Sequence, residues 1–163
     1  MSIRVYVPST IHRLQRLLAV GTIGPAPFAA HAVTDAVRRE LSDGAEEEWE
    51  YAASTAAAQA SIRLLAAGEP ARRVVVAVDV PTARPAATDD PTAVEVDEAA
   101  SLRLVAAVLA DAAEAERTVA EARDAVAAGI ADAERLVERC LDHEPGWWAA
   151  QELDLLLESL RVR

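Results

Sequence analysis

Val74-Val75-Val76-Ala77-Val78-Asp79-Val80, introduced by Arg72-Arg73 and closed by Pro81, is the stretch on which the reading of this chain turns. Valine loses rotamer freedom in a helix but packs well on a pleated surface. An unbroken apolar run of this length between breakers therefore reads as a strand buried on both faces. Such a strand needs cover above and below, and the rest of the chain must supply it.

Working back toward the N-terminus, a long helix is expected from a capping-box-like start at Asp43-Gly44-Ala45-Glu46. Glu46, Glu47 and Glu48 complement the dipole of its first turn, and Trp49, Ala53, Ala56, Ala60 and Leu64 form its apolar stripe. So alanine-rich a face suits close approach to a sheet. A short helix is expected over Asp35–Leu41, a strand over Phe28–Val33, and a loop over Thr22–Pro27, where glycine and proline break the pattern. Ile11, Leu14, Leu17 and Leu18 recur at helical spacing between a Ser9 or Thr10 N-cap and Gly21. At the start, Ile3, Val5 and Val7 alternate with Arg4 and Tyr6, the period of a strand, until Pro8.

Toward the C-terminus, Pro81 to Pro91 is a Pro-rich loop (near 81–92), and Val94-Glu95-Val96 is a short strand. Leu104–Ala110 reads as a strand, with a helix as the alternative. Ala115, Val119, Ala122 and Val126 mark an amphipathic helix stopped by Gly129, and Leu136, Val137, Cys140 and Leu141 mark another that ends before Pro145-Gly146. Trp147-Trp148-Ala149-Ala150 reads as a last short strand, followed by a closing helix with Leu153, Leu156, Leu157 and Leu160 on one face. Strands interleaved with helices predict an α/β (or α+β) fold. The expectation is a single layered domain over residues 1–163, with a mixed sheet of about four to six strands covered by helices.

Composition bounds the function. The chain has 163 residues, 52% of them hydrophobic, and a net charge of -11, with arginine as its only strongly basic residue type. That charge disfavours nucleic acid and anionic membranes, which need clustered basic side chains. Cys140 is the single cysteine, which excludes an internal disulfide and a cysteine-built zinc site and fits a reducing, cytoplasmic setting. No signal peptide and no apolar run of membrane-spanning length is read in the chain. The absence of lysine and the excess of alanine fit a GC-rich bacterial source.

No Walker A loop, dinucleotide fingerprint, nucleophile elbow, HExxH or Cys-x-x-Cys occurs, so no cofactor or metal is expected and enzymatic status stays open. Candidate ligand or partner contacts sit at strand ends, where open α/β sheets bind ligands. Ser9 and Thr10 open a helix and could hold an anion or simply cap it. Thr34 and Asp111 end strands. Asp79 is a candidate base or metal ligand, or fixes a turn through its own backbone. His12 reads as a surface residue and His31 as a partly buried structural one. His143, between Asp142 and Glu144, is a contact candidate that also suits the last turn of a helix. Trp147 and Trp148 diverge by about 180° on a strand or about 100° on a helix. One is expected to be mostly buried, and the other to line a groove or a contact with the closing helix or a partner.

The opening Ile3-Arg4-Val5-Tyr6-Val7-Pro8-Ser9-Thr10, Gly24-Pro25 with Ala30-His31-Ala32-Val33-Thr34, and Glu48-Trp49-Glu50-Tyr51 with Ser61-Ile62-Arg63-Leu64-Leu65 form an ordered set. Arg73-Val74-Val75-Val76-Ala77-Val78-Asp79-Val80-Pro81 and Asp142-His143-Glu144 with Trp147-Trp148 and Gln151-Glu152-Leu153 complete it. Together they resemble an uncharacterised actinobacterial domain-of-unknown-function family, a resemblance that spans nearly the whole chain and implies no activity, cofactor or catalytic residue.

Two functions are carried forward. The first is a non-catalytic cytosolic protein-interaction or regulatory domain whose partner is another protein, with a homodimer as a further option. The second is a small hydrolase or transferase with a cleft at the strand carboxyl ends, near Ser9, Thr34, Asp79 and His143.

Overall fold

The valine run forms strand β4 (Val74–Val80), and it lies in the interior of a seven-stranded sheet. The computed structural model describes residues 1–160. On one side β4 pairs with β1 (Ile3–Ser9) over its whole length, from Ile3 opposite Val80 to Ser9 opposite Val74. On the other side it pairs with β8 (Val105–Ala110). The remaining strands of the sheet are β3 (Phe28–Ala32), β5 (Arg84–Pro85), β6 (Ala93–Val96) and β9 (Gly146–Ala149), in the order β5-β6-β3-β1-β4-β8-β9. A separate pair joins β2 (Thr22–Ile23) to β7 (Ala100–Ser101).

Every pairing is antiparallel, which corrects the expectation of a mixed sheet. For β8 and β9 the reason lies in their connection. Parallel neighbours need a single crossover that carries the chain back to its starting edge. Here β8 and β9 are joined by two helices, α4 (Glu116–Ala128) and α5 (Ala133–Arg139), with a short turn between them. A helical hairpin returns the chain to the edge it left, and the next strand must run the other way. The strand count also exceeds the expected four to six. The extra strands are the two-residue β2, β5 and β7, within stretches that carry no strand periodicity.

The sheet is covered on both faces, as the valine run requires. Val5, Val7, Val74, Val76, Val78 and Val80 share a core with Ile11, Leu14 and Leu17 of α1 (Ile11–Val20) and Leu153 and Leu156 of α6 (Leu153–Ser159). On the opposite face Tyr6, Val75, Ala77 and Ala107 meet Ala53, Ala57 and Ala58 of α3 (Glu46–Ile62). Alanine on both sides allows the close approach anticipated for this helix. A third cluster joins Ile62 to Val119 and Ala122 of α4, Val137 of α5 and Cys140.

Several local expectations are adjusted. α3 starts at Glu46 behind Ala45, with no side-chain cap, so the anticipated Asp43 cap is not formed. Instead the Trp49 indole N–H donates to the Leu41 carbonyl and closes the turn after α2 (Asp35–Glu40). Its buried residues are Ala53, Ala57, Ala58, Ser61 and Ile62 in place of Ala56, Ala60 and Leu64. A helix that is alanine on most sides gives periodicity little to choose between faces. Leu104 belongs to a 3-10 turn and Val105–Ala110 is the strand read there. His143 follows a 3-10 turn in extended backbone, outside any helix. Among the described residues no helix is long and apolar enough to cross a membrane.

Candidate functional site

Arg73 directly precedes β4 and Asp111 directly follows β8. Because Val74 and Ala110 are partners at the end of that ladder, the two charges are brought face to face. Asp111 accepts from Arg73 Nε at 2.8 Å, from Arg73 Nη2 at 2.7 Å and from the Arg73 backbone N–H at 2.8 Å. The Asp111 N–H donates back to the Arg73 carbonyl at 3.1 Å. The side chains are 2% and 1% exposed, and it is these paired hydrogen bonds that make burial of the two charges tolerable. Arg73 Nη2 also donates to the His143 carbonyl at 2.8 Å, tying the sheet to the segment before β9. The His143 ring is held in turn, its Nε2 lying 3.1 Å from Thr118 Oγ1 on α4. Nearby Cys140 is fully buried; burial pushes its thiol up, with Arg73 pulling in the other direction.

Above this pair lies a crevice of about 90 Å³, floored by Arg73 and Leu109 and walled by α3 and the 141–145 segment. Small-molecule sites occupy roughly 300–1,000 Å³, so the crevice holds a chemical group and not a whole metabolite. Its rim carries two exposed large apolar residues, Tyr51 at 55% and Leu141 at 43%. Trp147 is the cross-strand partner of Leu109, so its side chain rises from the same face of the sheet, and it is 59% exposed. Tyr51 and Thr55 also border a broader shallow groove of about 590 Å³ along the outer side of α3, with Leu41, Ala52 and Ala56.

The candidates named from sequence divide between two ends of the sheet. Thr10 caps α1, accepting from Arg13 N–H at 3.2 Å. The anion position at that helix start is filled by the chain itself: Glu69 accepts from His12 N–H at 3.3 Å and from Ala66 N–H at 3.1 Å. Burial alone would push the Glu69 carboxyl up, but hydrogen bonds from Thr10, Ala66 and His12 outweigh it and hold the group below its ordinary value. The Ser9 hydroxyl turns to the Thr10 carbonyl, and the Ser9 carbonyl accepts from buried Ser61 at 2.7 Å. Ser61 Oγ also takes the Val74 N–H at 3.1 Å, clasping the end of the β1–β4 ladder.

At the other end, Asp79 turns both carboxylate oxygens to a neighbouring strand and not to its own backbone. It holds Arg4 through Nε at 2.7 Å and Nη2 at 3.1 Å. Thr34 caps α2 by accepting from Val37 N–H and donates to the Pro91 carbonyl. His31 Nδ1 lies 2.8 Å from Thr92 Oγ1, and that hydroxyl donates to Asp90 at 2.7 Å. The hydroxyl proton is committed to Asp90, so neutral His31 carries its proton on Nδ1 and donates to Thr92. Burial holds this imidazole below its ordinary value, against the pull of Asp90.

Ser9 and His143 thus lie near one end of β4, and Asp79 and Thr34 near the other. The Ser9–Val74 and Arg4–Asp79 rungs are about 17 Å apart at roughly 3.4 Å per residue. The rule that ligands gather outside the carboxyl edge presupposes parallel strands. In an antiparallel sheet the carboxyl ends alternate between edges, which is why these residues separate. Trp148 is half-buried against the α1–α6 core, and Trp147 is the exposed member of the pair. His12 is exposed, as read from sequence. Among the described residues no three of His, Cys, Asp and Glu form a metal-binding group.

Sequence reasoning missed Arg73, Tyr51 and Leu141. For Arg73 a signal existed: an arginine before one continuous apolar run and an aspartate after another meet at one end of an antiparallel ladder. Tyr51 carried none, and Leu141, expected on the inward face of its helix, lies instead in the 3-10 turn Cys140–Asp142 and is 43% exposed.

A family model described as a family of unknown function (DUF6912) matches residues 3–157. No curated protein matches the chain. No solved structure matches it.

Proposed function

The chain belongs to the DUF6912 family, and within it we propose a non-catalytic protein-interaction domain that docks a partner on the Tyr51–Leu141–Trp147 rim. The observation that carries this reading is that an exposed tyrosine and a buried arginine line one crevice, with the exposed Trp147 on the strand beside its lining residue Leu109. Tryptophan, tyrosine and arginine are the residues enriched in interface hot spots, where each costs more than about 2 kcal/mol on truncation. Leu141 and Trp147 flank His143, whose carbonyl is held by Arg73 and whose ring is held by Thr118, so this part of the surface is pre-formed and loses little entropy on binding. The crevice is too small for a metabolite-sized substrate, which favours docking over turnover.

A pull-down from lysate of the source organism at physiological salt tests the reading when paired with variants. A partner should be retained by the native chain and lost by Trp147→Ser and by Tyr51→Ser. It should be kept by Leu155→Ser, which alters an exposed leucine on α6, across the sheet. No enriched protein, or one indifferent to Trp147 and Tyr51, would overturn the proposal.

A further inference from the structure

We infer that the crevice accepts an uncharged carbonyl group of a partner polypeptide, received by Arg73 Nη1, with an apolar side chain of the same segment resting on the Trp147–Leu141 rim. This rests on the docking function proposed above and specifies its chemistry. Arginine has three nitrogens that donate. In Arg73, Nε is spent on Asp111, and Nη2 on Asp111 and the His143 carbonyl. Nη1 finds no acceptor among these bonds. Yet no buried side-chain nitrogen or oxygen lacks a partner among the described residues, so Nη1 keeps an opening to solvent. The residue as a whole is 2% exposed and lines the crevice, so that opening is the crevice itself. A donor at the floor of a narrow, largely apolar pocket calls for an acceptor to enter.

Charge and size narrow what enters. The positive charge of Arg73 is already balanced by Asp111, and Glu144 lines the crevice within a chain of net charge -11. An incoming anion would meet no unpaired cation and would face like charge, whereas a neutral oxygen meets only the free donor. The volume of about 90 Å³ is that of roughly three waters at about 30 Å³ each, room for one amide group. Tyr51, Leu141 and Pro145 in its lining, with Trp147 on the next strand opposite Leu109, offer apolar contact to a side chain beside that amide.

The experiment is an NMR titration of the whole labelled chain with N-acetyl-leucine-methylamide, with sodium acetate, and with N-acetyl-glycine-methylamide as separate probes. The signals followed are the Arg73 guanidinium and the Trp147 indole. The leucine amide should shift both, binding at least about tenfold more tightly than acetate or the glycine amide. Leu141→Ser, a change at an exposed position, should weaken it without altering the rest of the spectrum. Acetate binding as tightly as the amide would make the crevice an anion site and overturn the inference. An unmoved Arg73 signal would overturn it too, because the crevice then holds water alone. In either case, partner capture that still depends on Trp147 and Tyr51 would leave the docking function standing, so the two failures are distinguishable.

Discussion

Strand β4 has an arginine–aspartate pair at each end, alike in chemistry and opposite in setting. Asp111 grips Arg73 through two guanidinium bonds and a backbone N–H, with side chains 2% and 1% exposed. Asp79 grips Arg4 by the same two-nitrogen geometry, with each side chain 36% exposed. Water can take over from either partner in the second pair and from neither in the first. The difference therefore lies less in the strength of the intact pairs than in what is left when one member is removed. It also assigns them different work. The buried pair joins β4, β8 and the 143 segment into the floor of the proposed docking crevice, and the exposed pair staples two neighbouring strands.

The largest effect is expected at the buried end. Asp111→Ala leaves the Arg73 charge unpaired in the interior and should destabilise the fold by about 3–5 kcal/mol, read as a lowered urea midpoint. Replacing both members, Arg73→Met with Asp111→Leu, should recover most of that loss, because desolvation offsets much of what an intact buried pair gains. A single variant costing under about 1 kcal/mol would erase the contrast between the two ends.

Next comes the clasp beside that pair. Ser61 stands between the Ser9 carbonyl and the Val74 N–H, all of it buried. Ser61→Ala strips both groups of their partner and should cost about 1–3 kcal/mol. Amide exchange at Val74 should accelerate at the same time. Protection at Val74 unchanged from the native chain would show that the ladder end does not depend on this hydroxyl.

How much of this was legible follows from what each signal encodes. The runs Val74–Val80 and Leu104–Ala110 announced strands because their composition suits a surface buried on both sides. Periodicity has no direction, however, and the polarity of β9 against β8 emerged only from the helical hairpin that returns the chain to the edge it left. The inner face of α3 was hidden because alanine occupies nearly every side of that helix. Trp147 and Trp148 were legible as a divergent pair, since neighbours on a strand point opposite ways. Which one met α6 depended on register with Val108 and Leu109. Thr10 and Thr34 were readable as caps from local preference alone, whereas Glu69, which fills the start of α1, comes from a loop distant in sequence.

His31 pairs with Tyr6 of β1, level with Ala77 in the middle of β4, and is half-buried, so it measures the ground between the two pairs. Burial holds its imidazole below the ordinary value of about 6.5, so the folded chain resists a proton that the unfolded chain accepts. Between those two values the unfolded state binds more protons, and stability must rise with pH. The contribution is fully present above about pH 6.5 and is lost as pH falls through the window beneath it. His31→Gln keeps a donor for Thr92 and removes the titration. The difference between native and variant urea midpoints, followed from acid to neutral pH, should therefore narrow on the acid side. A difference that stays flat would mean that His31 titrates alike in both states.

The smallest effect is expected where the comparison began, at the exposed pair. Asp79→Ala frees Arg4, but an arginine side chain about one-third exposed can turn its guanidinium into water and leaves no stranded charge. The cost should fall within about 0.2–1 kcal/mol. Because what is lost is a screened interaction between partly solvated groups, the gap between native and variant should shrink further as salt is raised, while the gap for Asp111→Ala holds. Parallel urea titrations of the two variants at low and high sodium chloride read this directly. If Asp79→Ala proved as costly and as indifferent to salt as Asp111→Ala, burial would not be what separates the two ends of β4, and the special standing given to the Arg73 pair beneath the crevice would fall with it.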